Sequence, residues 1–247
     1  MELTIHPLVP TRIAIEAGRI TYLRNYGKRL TLPCPFFVIK GGKFPVLVDT
    51  SGSAEIMAGL RTEPVEHVMG FKEALLQVGL TPQEIKLVIH THLMYDHCAN
   101  SRHLPNARFV VQKKELEFAL DPHPMFAGVY QKHLFENLPF DSVDGDAKLM
   151  PGIELLFTPG HSPGIQSVAV ETRAGLAIIT GFCCISENFA APGKQVWATD
   201  VVPEVIPPGF HTDMRQAYES ALRVKNMADL IIPFHDPEMA AKRQIPD

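Results

Sequence analysis

Lys86-Leu87-Val88-Ile89-His90-Thr91-His92-Leu93-Met94-Tyr95-Asp96-His97 decides how this chain is read. Its first half is a short apolar run of the kind that forms a buried strand. Its second half is a metal cradle with one position altered. In a His-x-His-x-Asp-His loop the imidazoles and the carboxylate can converge on one or two divalent ions, and here Met94 stands in place of the second histidine. A thioether is a soft, weak ligand that suits neither zinc nor manganese. What the loop does therefore depends on what its remaining ligands can hold.

Two distant segments repeat the device of a predicted strand ending on a potential ligand. One is Thr158-Pro159-Gly160-His161-Ser162-Pro163-Gly164, and the other is Ile232-Pro233-Phe234-His235-Asp236. Gly160 and Gly164 let the backbone turn tightly enough to aim the His161 ring inward. A single strand-end histidine is usually structural, whereas three segments ending alike form a specific pattern. Other candidates have blander readings. His90 alternates away from His92 along the strand and is expected to be buried behind it. Cys98 reads as a helix-packing residue, and Cys183 and Cys184 as strand-end core. Asp49 reads as a hydrogen-bonding support for the loops. His103, His123, His133 and His211 have no motif around them and read as surface or loop residues, with His123 and His211 also candidates to line a pocket.

Hydrophobic patterning sets these segments in a frame. Phe36–Ile39 and Pro45–Asp49 read as strands joined by a turn at Gly41-Gly42. Phe71–Leu80 has helical spacing, and Thr81-Pro82-Gln83-Glu84 is a capping box. Arg108–Gln112 reads as a strand, Lys113–Leu120 as a helix, and Ile153–Phe157, Ile165–Glu171 and Leu176–Thr180 as strands. Asp213–Met227 is an amphipathic helix, and Asp229–His235 a last strand. Residues 121–150, with Pro122, Pro124, Pro139 and aromatics Phe126, Tyr130, Phe135 and Phe140, read as an irregular excursion that covers a pocket. Strands alternating with surface helices in both halves imply two packed sheets with helices outside, in one domain spanning 1–247.

Composition narrows the partners. The chain has 247 residues, 46% of them hydrophobic and 20% charged, the profile of an ordinary globular protein. A formal net charge of −4 gives no reason to expect nucleic acid or an anionic membrane. No apolar run reaches the length of a membrane span, and the N-terminus lacks a basic-then-apolar leader pattern, so the expected location is cytoplasmic. The four cysteines show no disulfide framework and no Cys-x-x-Cys spacing.

The stretches at Leu47-Val48-Asp49-Thr50-Ser51-Gly52, Thr91–Asn100, Thr158–Gly164 and Ile232–Pro237 together resemble the metallo-β-lactamase superfamily, and within it the N-acyl-homoserine lactonase group. The resemblance implies an α/β (α+β) fold, an αββα four-layer sandwich with metals at one edge. It assigns His92 and His161 to a first metal, with Met94 where a third histidine is usual. Asp96, His97 and His235 are assigned to a second. A bridging aspartate is usual after the His161 segment, and there the chain reads Ile179-Thr180-Gly181-Phe182-Cys183-Cys184. Phe182 or, with a one-residue shift, Gly181 takes that place, and neither can bridge metals. Cys184 or Ile185 stands where related lactonases have a tyrosine. The expectation is one divalent ion per chain at Asp96, His97 and His235, zinc first, with manganese or iron as alternatives. Met94 and Phe182 are expected to pack into the vacated first site. The implied chemistry is hydrolysis of a lactone, ester or amide bond in a small, mainly apolar molecule. Asp96 would orient the attacking water, and His92 or His161 would assist at the oxyanion. The expected partner is this small-molecule substrate, and a homodimer is allowed. A small-molecule-binding relative without metal and a mononuclear iron oxygenase remain open as alternatives.

Overall fold

Alternation along the strands builds the core. In a computed structural model that describes residues 2–190 and 203–247, Phe37 and Ile39 face one side of their strand while Phe36 and Val38 face the other. The strands and helices in chain order are β1 (Thr4–Glu16), β2 (Arg29–Lys40), β3 (Val46–Val48), α1 (Ala54–Leu60), β4 (Val65–His67), α2 (Phe71–Gln77), β5 (Leu87–Ile89), α3 (Tyr95–Cys98), β6 (Arg108–Gln112) and α4 (Lys113–Leu120). They continue with β7 (Phe140–Val143), β8 (Ala147–Met150), β9 (Ile153–Phe157), β10 (Gln166–Thr172), β11 (Gly175–Ile179), α5 (Met214–Met227), β12 (Leu230–Ile232) and α6 (Pro237–Ala240).

Seven strands form one sheet in the order β4-β1-β2-β3-β5-β6-β7, and five form a second in the order β12-β11-β10-β9-β8. The inner faces meet through Phe37, Ile39, Val48 and Ile89 of the first sheet and Leu155, Val168, Val170 and Ile179 of the second. Phe71, Ala74 and Leu75 of α2 cover the outer face of the first sheet on Phe36, Val38 and Val88. Ala221 and Val224 of α5 cover the second on Leu156, Ala169 and Ile178. The molecule is the αββα sandwich expected, with helices outside two packed sheets. None of the described helices is long and apolar enough to cross a membrane.

Two expectations change. The excursion is shorter than 121–150: its last part forms β7, which pairs in parallel with β6, and β8, which starts the second sheet against β9. The irregular part is confined to 121–139. The N-terminal region, which gave no strand signal, is the longest strand of the described chain, β1. Pro7 and Pro10 obscure its pattern, since proline cannot donate to a ladder. β4 pairs only with Thr11–Ile13, so both prolines precede the stretch flanked on both sides, and the β1–β2 register shifts between Leu8 and Thr11.

Candidate metal centre

Strand ends of both sheets meet at one edge of the sandwich. From the first sheet, β5 runs into the loop that bears His92, and the single turn of α3 carries Asp96 and His97. From the second, β9 runs into Thr158–His161 and β12 into His235. Gly160 sits at φ +129°, and a Cβ there would lie 2.1 Å from the Ala217 amide nitrogen, so only glycine lets the His161 loop lie this close to α5. Asp49 and Ser51, after β3, hold positive φ values of 59° and 61°. That left-handed backbone, costly for non-glycine residues, turns the Asp49 carboxylate under the histidines.

Hydrogen bonding fixes how the imidazoles point. His97 Nδ1 donates to Asp49 Oδ2 at 2.8 Å, His235 Nδ1 to the Pro33 carbonyl at 2.8 Å, and His161 Nδ1 to the Phe210 carbonyl at 2.6 Å. Thr91 Oγ1 gives its proton to Asp49 Oδ2 at 2.6 Å, so it accepts from His92 Nδ1 at 3.0 Å. Each ring therefore carries its proton on Nδ1 and leaves a lone pair on Nε2. His92 Nε2 is buried with no hydrogen-bond partner among the described residues. The rings crowd together: His92 and His97 have centroids 3.8 Å apart, His92 and His161 5.0 Å, and His97 and His235 5.6 Å.

Asp96, His97 and His235 bring one ligand atom each to within 4.8 Å of one another. His97 Nε2 lies 3.8 Å from Asp96 Oδ2, and the Asp96 side chain keeps 18% exposure. The residues present thus suit a divalent ion: two imidazole nitrogens with their tautomers fixed, one carboxylate, and a side open to the cavity. Burial, with repulsion from His97 and the other imidazoles, holds His92 well below the ordinary histidine range. Burial lowers His161 and His235 to about 4. Burial also opposes protonation of His97, but Asp96 and Asp49 outweigh it and raise its pKa. For Asp96 burial works against ionisation, and the attraction of His97 and His235 overcomes it.

Other candidates fall outside the cluster or take supporting places. His90 is buried behind the loop, 3.2 Å from Asp49 Oδ1 and stacked on Phe109. Asp49 ligates nothing within the triad but joins Thr91, His90 and His97. His211 donates to the Pro208 carbonyl, His123 accepts from the Met125 amide, and neither lines the cavity. Met94 and Phe182 do not fill the first site together. Met94 packs with Ile13, Ile15 and Tyr95, whereas Phe182 turns away among Leu156, Ile165 and Phe189. A Cβ on Gly181 would lie 2.0 Å from the Gln166 carbonyl oxygen, so no side chain fits there either. It is Cys183, read from sequence as core, that faces the cavity. With its proton on Nδ1, His161 offers the cavity a lone pair, so it suits a ligand or base and not the oxyanion donor expected.

A small cavity lies beside the triad. Its walls combine Ile13, Ile15, Ile20 and Leu32 with Val129 of the excursion and Phe210, and Arg61 and Arg19 also reach it. Sequence reasoning missed these residues, and it missed Glu115. This carboxylate is fully buried and accepts from the Leu93 amide at 3.0 Å, the Tyr130 hydroxyl at 3.0 Å and Ser162 Oγ at 2.5 Å. Burial raises its pKa against these bonds. It ties the His92 loop, the His161 loop and the excursion to α4. The only available signal was a charged residue on a helix with an otherwise weak apolar face.

Comparison with known proteins agrees with the geometry. The family model of the metallo-beta-lactamase superfamily matches residues 30–234. An N-acyl homoserine lactonase of Bacillus cereus is 29% identical over 182 residues, which cover 68% of this chain and 71% of that protein. The N-acyl homoserine lactonase AttM of Rhizobium radiobacter is 28% identical over 259 residues, covering 96% of this chain and 94% of the relative. A solved N-acyl homoserine lactone hydrolase, with the product N-hexanoyl-L-homoserine bound at its catalytic metal center, matches with a TM-score of 0.78 at 27% identity over 100% of this chain and 99% of that one.

Proposed function

The chain is a hydrolase that belongs to the metallo-beta-lactamase superfamily, and from that premise we propose that it opens the lactone, ester or amide bond of a small, mainly apolar molecule. One divalent metal ion, zinc before manganese or iron, is held by Asp96, His97 and His235, and the whole of 1–247 acts as one domain. One observation carries the reading: buried imidazoles spend Nδ1–H on the protein, and among them His97 and His235, with Asp96, bring one ligand atom each to within 4.8 Å of one another. His92 alone of these rings leaves a buried Nε2 with no partner among the described residues, and a buried group of that kind costs about 1–3 kcal/mol. Two imidazoles and a carboxylate form a set that zinc accepts, with a position left for substrate or water.

A metal in this set supplies Lewis acidity toward water and a carbonyl oxygen. The protein's own groups do the rest. Asp96, partly exposed, orients the attacking water, takes its proton and passes it to the leaving group. Asp49 fixes the His97 ring, as the Pro33 carbonyl fixes His235. His92 and His161 border the reacting group as acceptors. Segment 121–139, through Val129, covers the apolar wall on which an acyl chain rests.

The test is a panel of short-chain and long-chain lactones, including N-acyl homoserine lactones, together with aryl esters and amides. The purified protein is expected to hydrolyse at least one class, and Asp96→Ala to lose both that activity and the metal. Bound iron with oxygen uptake and no hydrolysis would overturn the proposal in favour of an oxygenase. Small-molecule binding unaffected by Asp96→Ala, in a protein with no metal, would overturn it in favour of a non-catalytic relative.

A further inference from the structure

We propose that His90 is a positioning residue for the proposed metal ligand His97: it acts through Asp49, whose carboxylate it holds in the rotation that keeps the proton of His97 on Nδ1. The inference rests on the proposed function only in taking His97 as a ligand. His90, Asp49 and Ser101 are all fully buried. An ionised carboxylate only accepts, so His90 carries a proton on Nδ1 and donates it to Asp49 Oδ1 at 3.2 Å. The Thr91 amide gives that same oxygen a second bond at 2.8 Å. Oδ2 is left for His97 Nδ1 at 2.8 Å and Thr91 Oγ1 at 2.6 Å. Each oxygen thus holds two donors, and rotation of the carboxylate breaks bonds on both.

The His90 ring is itself held from the far side. With Nδ1–H spent on Asp49, its Nε2 accepts from the Ser101 hydroxyl at 2.9 Å. Its plane stacks on Phe109, 5° from parallel with centroids 5.6 Å apart. Its backbone is tied to both sheets, the amide to the Val110 carbonyl and the carbonyl to Gln166 Nε2, each at 2.8 Å. His97 needs this control because two carboxylates flank it. Asp49 accepts at Nδ1, while Asp96 Oδ2 lies 3.8 Å from Nε2. If Asp49 loses the bond from His90, Oδ1 keeps only the Thr91 amide, and the hold on the His97 proton weakens. The Nε2–H tautomer facing Asp96 then competes, and a ring protonated on Nε2 cannot bind a metal through that atom.

The experiment compares two amides at position 90. Asn places its amide nitrogen where histidine has Nδ1, so His90→Asn keeps the donor to Asp49. Gln places its amide where histidine has Nε2, so His90→Gln keeps a partner for Ser101 and loses that donor. The tautomer of His97 is read in the metal-free protein by long-range ¹⁵N–¹H NMR, and zinc affinity by competition with a chromogenic chelator. Wild type and His90→Asn are expected to show the Nδ1–H form of His97. His90→Gln is expected to show a share of the Nε2–H form and zinc binding about ten-fold weaker. A role in filling space alone gives the reverse order, since Asn leaves the larger gap beside Phe109. His90→Phe keeps the stack without any donor and is expected to match His90→Gln, which serves if the latter does not fold as judged by circular dichroism. An unchanged His97 tautomer in the variants without the donor, or a loss in His90→Asn as large as in His90→Gln, overturns the inference. A protein that binds no zinc would sink the metal assignment, while the tautomer still decides the role of His90.

Discussion

His92 bears the consequence of the altered motif. Its ring lies against His97, its Nε2 has no partner among the described residues, and Met94 stands where the resemblance implies a third histidine. Met94→His restores that histidine. Metal content measured by elemental analysis is expected to rise above the wild-type value, since the introduced imidazole would join His92 and His161 in supplying three nitrogens. Asp49 acts on the retained site from behind. Asp49→Ala leaves Thr91 and His97 without their acceptor and is expected to weaken metal affinity roughly 10–100-fold, as read by competition with a chromogenic chelator. Proton binding is also a residue-scale matter. His161 and His235 titrate near 6.5 when unfolded and near 4 when folded, with burial as the leading cause. Between those values the unfolded chain holds more protons, so the stability these two groups contribute is full above about pH 6.5 and falls as pH drops toward 4, while His97, whose pKa is raised, contributes stability that is lost only as pH rises through its folded pKa. Two such groups give a slope of up to roughly 2.7 kcal/mol per pH unit within that window. Urea midpoints measured across it, with chelator present, are expected to fall steadily on acidification, and a flat profile would contradict the assignment. The residues proposed for this chemistry were legible, because Asp96, His97, His161 and His235 follow strands within recognisable motifs. Cys183, Arg61 and Glu115 were not, because each reaches the site from a segment whose local pattern says nothing about what lies across the cavity.

The loops matter as much as the ligands at the scale of elements. Glu115 projects from α4 into the junction of the His92 loop, the His161 loop and the 121–139 excursion. Glu115→Gln keeps its shape but turns an NH₂ group toward groups that themselves donate. A loss of about 3 kcal/mol or more is expected, read as a lowered denaturant midpoint. Gly164 makes the same junction tight, since a Cβ there would lie 1.9 Å from the Glu115 amide nitrogen. Gly164→Ala is therefore expected to separate the His161 loop from α4 and to cost metal binding together with stability. Most elements followed from periodicity: Lys113–Leu120 and Ile153–Phe157 have the bounds read from the sequence. β1 did not, because prolines and a register shift break its alternation. β7 and β8 did not, because short edge strands of mixed polarity resemble loop until their pairing partners are known.

At the scale of the whole molecule, the proposed ligands come from two sheets. Asp96 and His97 belong to the first half and His235 to the second, so a bound ion ties together the two layers that otherwise meet through the apolar core. Binding to the folded state alone stabilises it by about 2.7 kcal/mol when free metal is at 100 times its dissociation constant. A chelator is expected to lower the melting temperature of the wild type and to leave that of His235→Ala nearly unchanged. The αββα architecture was legible because alternating strands and two amphipathic helix faces demand four layers. The number of metals was not, because it depends on where the side chains near Met94 and Gly181 point, and the motif alone carries no such direction. Elemental analysis of the purified protein, reconstituted with zinc and freed of excess ion, decides between one occupied metal position and two. Roughly one ion per chain is expected, lost in both Asp96→Ala and His235→Ala. Two ions per chain, or one ion that survives His235→Ala, would contradict it.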